Sequence, residues 1–408
     1  MAGAETSASG DSFNKLPSDC CIFTVPEKLR KSNNEAYRPR VVAIGPYHHD
    51  DPRLKPMEDH KLWYLKNFLQ PNPNRHLKDY IRKVMSCEHE ARKCYDKHID
   101  LSPNEFTEMM LLDGIFVIQL FMMFSNYQSL LPGDRIFGKQ MMLNDVHRDM
   151  ALLENQMPFF IVQQLFEMAS GTHQQPMPGL LELTCRFFRL EWAMESEVKH
   201  FVQVKHFVHA ISLSFLPLVR KAPNGSNKEM KFTPSAMQLA AAGVKLEKCK
   251  SKRLLDIEFK NGALNIPSLA LYDTTESFYR NIMAFEQCYC EKRYLTDYMD
   301  FMHHLVDTPS DAELLINKEI IENWLSNKEA VARVINALGE ENIVSRDHYF
   351  YSLSEELNNH CSNHWNEWKA TFKRDYCSSP WVVISVIAAV VLLLLTVTQT
   401  VCSVLSLK

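Results

Sequence analysis

The sequence predicts a mainly α-helical protein: one large helical domain carrying a small β-hairpin, followed by one C-terminal transmembrane helix. Three observations carry this prediction. Apolar residues recur at intervals of three and four along most of the chain, the period of a helix with one buried face. A single strand-turn-strand pattern, centred on Asn261-Gly262, interrupts that period. From Tyr376 to Leu407 there is no charged residue at all.

Residues 1–36 read as a flexible leader, because Ser, Asn, Gly, Lys and Glu dominate and Ile22, Phe23 and Val25 form only a short apolar island. Met1 to Cys21 holds no apolar stretch of the length a secretory signal needs, and glycine stands at position 3, not 2, so neither a signal peptide nor N-myristoylation is expected. The helical domain is placed at residues 37–376. It opens with Val41-Val42-Ala43-Ile44, a short strand or extended segment ending at the Gly45-Pro46 turn. Met57, Lys61, Trp63, Tyr64, Leu65, Phe68 and Leu69 then form one amphipathic stripe. Leu77, Ile81, Val84, Met85 and Cys94-Tyr95 form a second.

Ser102-Pro103-Asn104-Glu105 has the residues of a capping box with proline in the first turn. The run from Met109 to Phe124 that follows is broken only by Asp113, Gly114 and Gln119, so it belongs in the core; with an internal Asp and about 16 apolar-rich positions it falls short of a membrane span. Asp145 to Phe166 reads as a helix bent or restarted at Pro158, with Glu154, Asn155 and Gln156 placed to satisfy the backbone groups that the proline frees.

The hairpin is the best-determined local feature of the second half. Leu255, Ile257 and Phe259 alternate with polar residues, Asn261-Gly262 supplies a type I′ turn, and the register sets Phe259 against Leu264 and Ile257 against Ile266. Beyond it, Glu276 to Tyr289, Tyr294 to Val306, Asp311 to Leu325 and Lys328 to Leu338 read as successive helices. A last helix from Ser352 to Tyr376 carries Trp365, Trp368 and Phe372.

Residues 377–380 are the juxtamembrane break and residues 381–405 the transmembrane helix with its short tail. Trp381, Val382, Ile384, Ile387, Leu392 and Leu395 are the anchor residues, Trp381 at the interface. Between Val382 and Thr398 there are twelve Val, Ile or Leu. At roughly −0.3 to −0.6 kcal/mol each, they favour insertion by about 4 to 7 kcal/mol. Lys369, Lys373 and Arg374 precede the span and only Lys408 follows it, which favours a single-pass anchor with the bulk of the chain on the cytosolic side, the plasma membrane being one membrane it would suit. Asn224-Gly-Ser226 is the glycosylation sequon whose occupancy would report the opposite orientation.

Composition narrows the function classes. Lys plus Arg number 45 against 49 Asp plus Glu, without a long basic run, so no nucleic-acid partner is expected. The 11 Cys have no repeating spacing in a chain too large to need disulfide staples, and reduced thiols are the plain reading. For metals, Cys87, His89 and Cys94, then His360, Cys361 and His364, and the pairs His48-His49 and His303-His304 are the available ligands; none has a zinc-site spacing, and Cys288-Tyr-Cys290 lacks a partner pair. His89-Glu-Ala-Arg92 fails as a zinc-protease motif because Arg stands where the second ligand is required. Nucleophile-elbow and phosphate-cradling glycine motifs are absent. No catalytic, cofactor or metal residue is therefore expected.

Several stretches together resemble the plant domain-of-unknown-function 247 family, also called UPF0481. They are Pro39 to His48, Met57-Glu-Asp-His-Lys61, Glu105-Phe106 with Met109-Met110 and Asp113-Gly114, and Leu153 to Phe160; later come Pro234-Ser-Ala, Ala242 to Lys245, Asp256-Ile with Ile266-Pro267, Arg280-Asn281 with Ala284 to Gln287, Pro380-Trp381 and Gln399-Thr400. Lys205 to His209 departs from the family's usual His-Leu-Leu-Asp type segment. The resemblance implies a C-terminal anchor, no established catalysis and, in some grass members, a part in self-incompatibility as the male, pollen determinant, acting through recognition of a small secreted protein. The expected function is therefore a membrane-anchored, non-enzymatic recognition or signalling protein whose partners are the lipid bilayer and another protein. The alternatives are a hydrolase-like enzyme built from dispersed residues such as His48, Asp113 and Glu154, or a structural membrane scaffold.

Overall fold

The computed structural model describes residues 19–70, 76–126, 130–170, 178–190, 203–217, 232–340 and 348–362, together with 384, 388–389 and 391–400. In chain order its elements are α1 (Glu27–Arg30), α2 (Lys55–Leu69), α3 (Leu77–Lys93), α4 (Pro103–Phe124), α5 (Gln140–Asp149), α6 (Phe159–Ser170), α7 (Leu180–Phe187) and α8 (Phe207–Ser214). They continue with α9 (Ala236–Ala241), β1 (Lys245–Cys249), β2 (Glu258–Lys260), β3 (Ala263–Pro267), β4 (Leu269–Leu271), α10 (Thr275–Tyr289), α11 (Tyr294–Leu305), α12 (Pro309–Asn317), β5 (Ile321–Asn323), α13 (Lys328–Gly339) and α14 (Tyr351–Cys361). The last is α15 (Val391–Thr400). The protein is mainly helical, as the sequence predicts, and its described residues form two small sheets where the sequence predicts one hairpin.

The chain packs as two compact units, a division the sequence reading did not make. The first comprises Met1–Leu218 and Thr274–Leu295, the second Val219–Asp273 and Thr296–Lys408. One long helix, α10, belongs to the first unit while its sequence neighbours on both sides belong to the second, so the units interleave and a linker search along the sequence cannot separate them.

In the first unit α4 is the central element, packed by α2, α3, α6 and α7. Its start is the capping box expected from sequence: the Ser102 hydroxyl accepts the Glu105 N–H, and the Glu105 carboxylate accepts the Ser102 N–H at 2.8 Å. From Phe106 to Met123 almost every side chain is buried, Asp113 and Gln119 included. By length and composition α4 could in fact cross a membrane; what assigns it to the core is its burial within the protein.

Two sequence expectations change here and one alternative is decided. Within the expected leader 1–36, the described residues from Asp19 on include the buried Cys21, Ile22, Val25 and Leu29, so the apolar island is a core contribution, while polar neighbours such as Glu27, Lys28 and Ser32 are exposed. Val41 to Ile44 is the extended segment that the sequence allowed beside a strand; Val42 to Ile44 are buried, and the N–H groups of Val41, Val42 and Ile44 pair with side chains of α5 and the turn after it. The helix expected from Asp145 to Phe166 is two helices, α5 and α6, separated by the non-helical residues 150–158. Pro158 marks the restart.

In the second unit the hairpin forms as expected, with Phe259 opposite Leu264 and both Asn261 (φ 53°) and Gly262 (φ 75°) in the left-handed region that a type I′ turn requires. Ile257 and Ile266 are buried beside them. Sequence reading missed β1, which pairs in parallel with β3 to give the order β1-β3-β2, and the parallel pair β4-β5. The helix expected from Asp311 to Leu325 stops at Asn317 instead. Glu319 adopts φ 57°, the left-handed stop of a helix, and Ile320-Ile321 leads into β5.

The last expected helix is described as α14, and Trp365, Trp368 and Phe372 lie outside the described residues. Of the anchor residues, Ile384, Leu392 and Leu395 are helical and exposed, whereas Trp381, Val382 and Ile387 lie outside the described residues, as does Asn224. The described helix α15 is short, and the hydroxyls of Thr396, Thr398 and Thr400 each donate at 2.8 Å to the carbonyl one turn back.

Candidate functional site

The polar interior of the first unit is organised around the segment Arg40 to Arg53. Because Val42 to Ile44 is buried without a sheet partner, its backbone groups need other partners. The N–H groups of Arg40, Val41 and Val42 converge on one oxygen, Oδ2 of Asp149, at 2.8, 2.7 and 3.2 Å. Asn155 accepts the Ile44 N–H at 2.7 Å and returns its amide to the Val42 carbonyl at 3.0 Å, closing a backbone-like exchange. Asp113, projecting from α4, accepts the Gly45 N–H at 2.8 Å.

Lys61 completes this frame. Its ammonium donates to Asp113 Oδ1 at 2.5 Å and to the Ala43 carbonyl at 2.6 Å, and it forms an ion pair with Glu58 Oε1 at 2.6 Å. Both Lys61 and Asp113 are 1% exposed, so this is a fully desolvated ion pair. Gln156 donates to the carbonyls of Met150, Leu152 and Asn155 and accepts the Val208 N–H at 3.1 Å, tying the turn after α5 to the start of α8. Glu154 accepts the Val25 N–H at 2.7 Å and forms an ion pair with Arg30.

Burial pushes the Asp149 carboxyl up to about 6, against the opposing pull of the three N–H groups and of Arg148. Arg148 donates to Asp149 at 2.9 Å and to the carbonyls of Arg38 and Glu35, while its Nε is buried without a hydrogen-bond partner among the described residues.

Held on this frame, Pro46–His48 forms a single 3-10 turn, and the following residues border a surface cavity of about 450 Å³ lined by Arg38, Tyr47, His48, Asp50, Asp51 and Arg53, with Pro46 and Pro52. Tyr47 donates to Asp96 at 2.6 Å and meets Tyr95 edge-on at 5.4 Å. Arg53 and Asp51 pair at 2.5 Å, and those hydrogen bonds hold the Asp51 carboxyl at about 2. His48 Nε2 lies 3.7 Å from Glu154 Oε2 without a hydrogen bond; burial keeps its imidazole below the ordinary value and hence neutral at pH 7.

Of the three dispersed residues singled out as hydrolase candidates, the structure brings His48 and Glu154 together. Asp113 is engaged separately by Lys61 and Gly45. Among the described residues no three His, Cys, Asp or Glu side chains gather as a metal site. Sequence reading missed Arg148 and Asp149, which sit at the end of an amphipathic helix where charge is ordinary. Lys61 did leave a signal, a lysine inside an otherwise apolar stripe.

The model of the DUF247 family, described as plant protein of unknown function, matches residues 22–395. The chain belongs to the DUF247 family. UPF0481 protein At3g47200 of Arabidopsis thaliana is 28% identical over 95% of this chain and 87% of its own length. A second Arabidopsis UPF0481 protein, At3g02645, is 19% identical over 92% of this chain and 88% of its own length. No solved structure matches the chain. The frame described here gives the DUF247 resemblance a physical site, since Gly45, Lys61, Asp113 and Glu154 to Gln156 all fall in the stretches on which it was read.

Proposed function

We propose that this DUF247 protein is a membrane-tethered, non-enzymatic recognition protein that binds a protein partner through the loop Pro46 to Arg53. The observation that supports this most is how the charges are used. Asp113, Lys61, Asp149 and Glu154 are all engaged in holding backbone N–H groups or one another, which makes them a scaffold for a displayed loop. The anchor rests on the uncharged run from Tyr376 to Leu407 and on the exposed leucines of α15, whose threonine hydroxyls are satisfied within the helix as a lipid surrounding demands.

Replacing Leu392 and Leu395 by Arg tests the tether. Each change adds about 3 kcal/mol to the cost of insertion, together enough to cancel the roughly 4 to 7 kcal/mol that favours it. The double variant is expected in the carbonate-soluble fraction while the wild type stays with the membrane; a wild type that washes off removes the reading. A photo-crosslinking residue at Asp50 tests the partner: a saturable adduct abolished by Arg53→Ala supports it, and the absence of one sinks it.

The proposed side is cytosolic, from the basic flank Lys369, Lys373 and Arg374. Glycosylation at Asn224 would place the domain outside, within reach of a small secreted partner of the kind implied for grass self-incompatibility. A second reading, a hydrolase using His48 with Glu154, draws on their 3.7 Å approach beside a cavity. Turnover of an ester or glycoside that falls at least a hundredfold in His48→Ala would establish it.

A further inference from the structure

The buried N-terminal segment meets the end of α3 through two cysteines. The Cys21 N–H donates to the Cys94 carbonyl at 2.9 Å, the Ile22 N–H to the same carbonyl at 2.8 Å, and the Asp96 N–H returns to the Ile22 carbonyl at 3.1 Å. These bonds make a parallel bridge between Ile22 and Tyr95, so Cys21 and Cys94 stand side by side at about the 5 Å separation of neighbouring strands, within the Cα range a disulfide spans. The two thiols are free, and the Cys94 thiol donates to the Glu90 carbonyl at 3.6 Å. Thr24 holds the same junction by donating its N–H and hydroxyl to Asp96, both at 2.9 Å.

We propose that Cys21 and Cys94 are a redox couple that closes to a disulfide under hydrogen peroxide, fastening residues 19–30 to the end of α3. Cys94 sulfur attacks one peroxide oxygen, the O–O bond breaks, and a sulfenic acid forms with release of water. Cys21 sulfur then attacks the Cys94 sulfur, the S–O bond breaks, and the hydroxyl leaves as a second water carrying the Cys21 proton. Two thiols lose two electrons and two protons in all, and peroxide takes up both.

The roles are unequal because the environments are. The neighbouring Cys21 thiol, aided by the Lys205 charge, holds the Cys94 thiol below its ordinary value, whereas the neighbouring Cys94 thiol and burial push Cys21 up. Neighbouring Cys20 is set apart by its place, since the bridge puts Cys21 and not Cys20 beside Cys94. The segment so fastened carries Val25 and Arg30, the two partners of Glu154, so closure would stiffen the frame beneath the Pro46 to Arg53 loop.

The test uses full-length protein in detergent micelles, treated with peroxide, alkylated and digested with trypsin without reduction. The expected product is a dithiothreitol-sensitive link between the Leu16 to Lys28 peptide and the Cys94 peptide, present in wild type and Cys20→Ser and lost in Cys21→Ser. Oxidised wild type should also melt several degrees above reduced wild type, because a loop of some 70 residues is closed. In Cys21→Ser, dimedone should trap the Cys94 sulfenic acid. A link that survives Cys21→Ser but is lost in Cys20→Ser overturns the pairing, as does oxidation of other thiols with Cys94 left reduced. If Cys21→Ser fails to fold, fragment sequencing of the wild-type linked peptide, which separates Cys20 from Cys21, decides the question alone.

Discussion

Gly45 sits at φ 75° with its N–H held by Asp113, and a Cβ built there would lie 2.2 Å from the Gln156 carbonyl oxygen. That neighbour is backbone, itself fixed by the Tyr95 hydroxyl at 3.1 Å, so it has nowhere to move. Gly45→Ala therefore meets left-handed strain and a clash together, and should cost about 3 kcal/mol or more, read as a fall in the denaturant midpoint. An unchanged midpoint would show that the Pro46 turn is not held as described. Lys61→Met makes a parallel case: it preserves the side chain's length but leaves Asp113 and the Ala43 carbonyl buried and unpaired, an expected loss of about 3 to 5 kcal/mol. Both residues were legible as oddities in the sequence, a glycine before proline and a lysine in an apolar stripe. Their partners were not, because Lys61 and Asp113 are 52 positions apart and Ile44 and Asn155 are 111 apart, and local periodicity carries no information over such separations.

At the scale of elements, legibility followed the length of the repeating pattern. Helices α2, α3, α4 and α10 have enough turns for an apolar stripe to stand out, and the β2-β3 hairpin has Asn-Gly at its turn. Strands β4 and β5 have three residues each, too few to show alternation, and β1 finds its partner β3 in parallel across an intervening strand. The contact between α4 and α6 can be tested directly. A Cβ on Gly114 would lie 2.4 Å from Leu165 Cδ1, and Leu165 is fully buried with no room to swing aside. Gly114→Ala should cost about 1 to 3 kcal/mol by overpacking. Leu165→Val removes the methylene that sets the opposing methyl's reach, so the pair combined should be less destabilised than the sum of the two single changes. Strict additivity in that double-mutant cycle would mean the helices do not approach at Gly114.

For the molecule as a whole, pH reports how the first unit balances its buried titratable groups. Burial depresses His147 and His209 to about 4 and also lowers His206, with the charges of Arg189 and Lys205 adding to the effect on His147 and His209. An unfolded histidine titrates near 6.5, so between roughly pH 6.5 and 4 the unfolded chain binds protons that the folded one refuses, and stability is lost as pH falls through that window. For His147 and His209 the loss approaches about 3 kcal/mol each by pH 4. Asp149 opposes it: its carboxyl is raised to about 6, so the folded state takes up a proton before the unfolded one does, and stability from this group grows as pH falls from 6 toward 4. His48 is depressed by burial as well and Glu58 is a second raised carboxyl, so four histidines against two carboxyls leave a net acid destabilisation beginning below pH 6.5, well above the range where ordinary carboxylates titrate. Chemical denaturation between pH 7.5 and 4.5 should show the unfolding free energy falling, with most of that slope lost in a His147→Gln, His209→Gln double variant. A flat profile in the wild type would mean these imidazoles are solvated, and the packing of α5 and α8 described here would then be wrong.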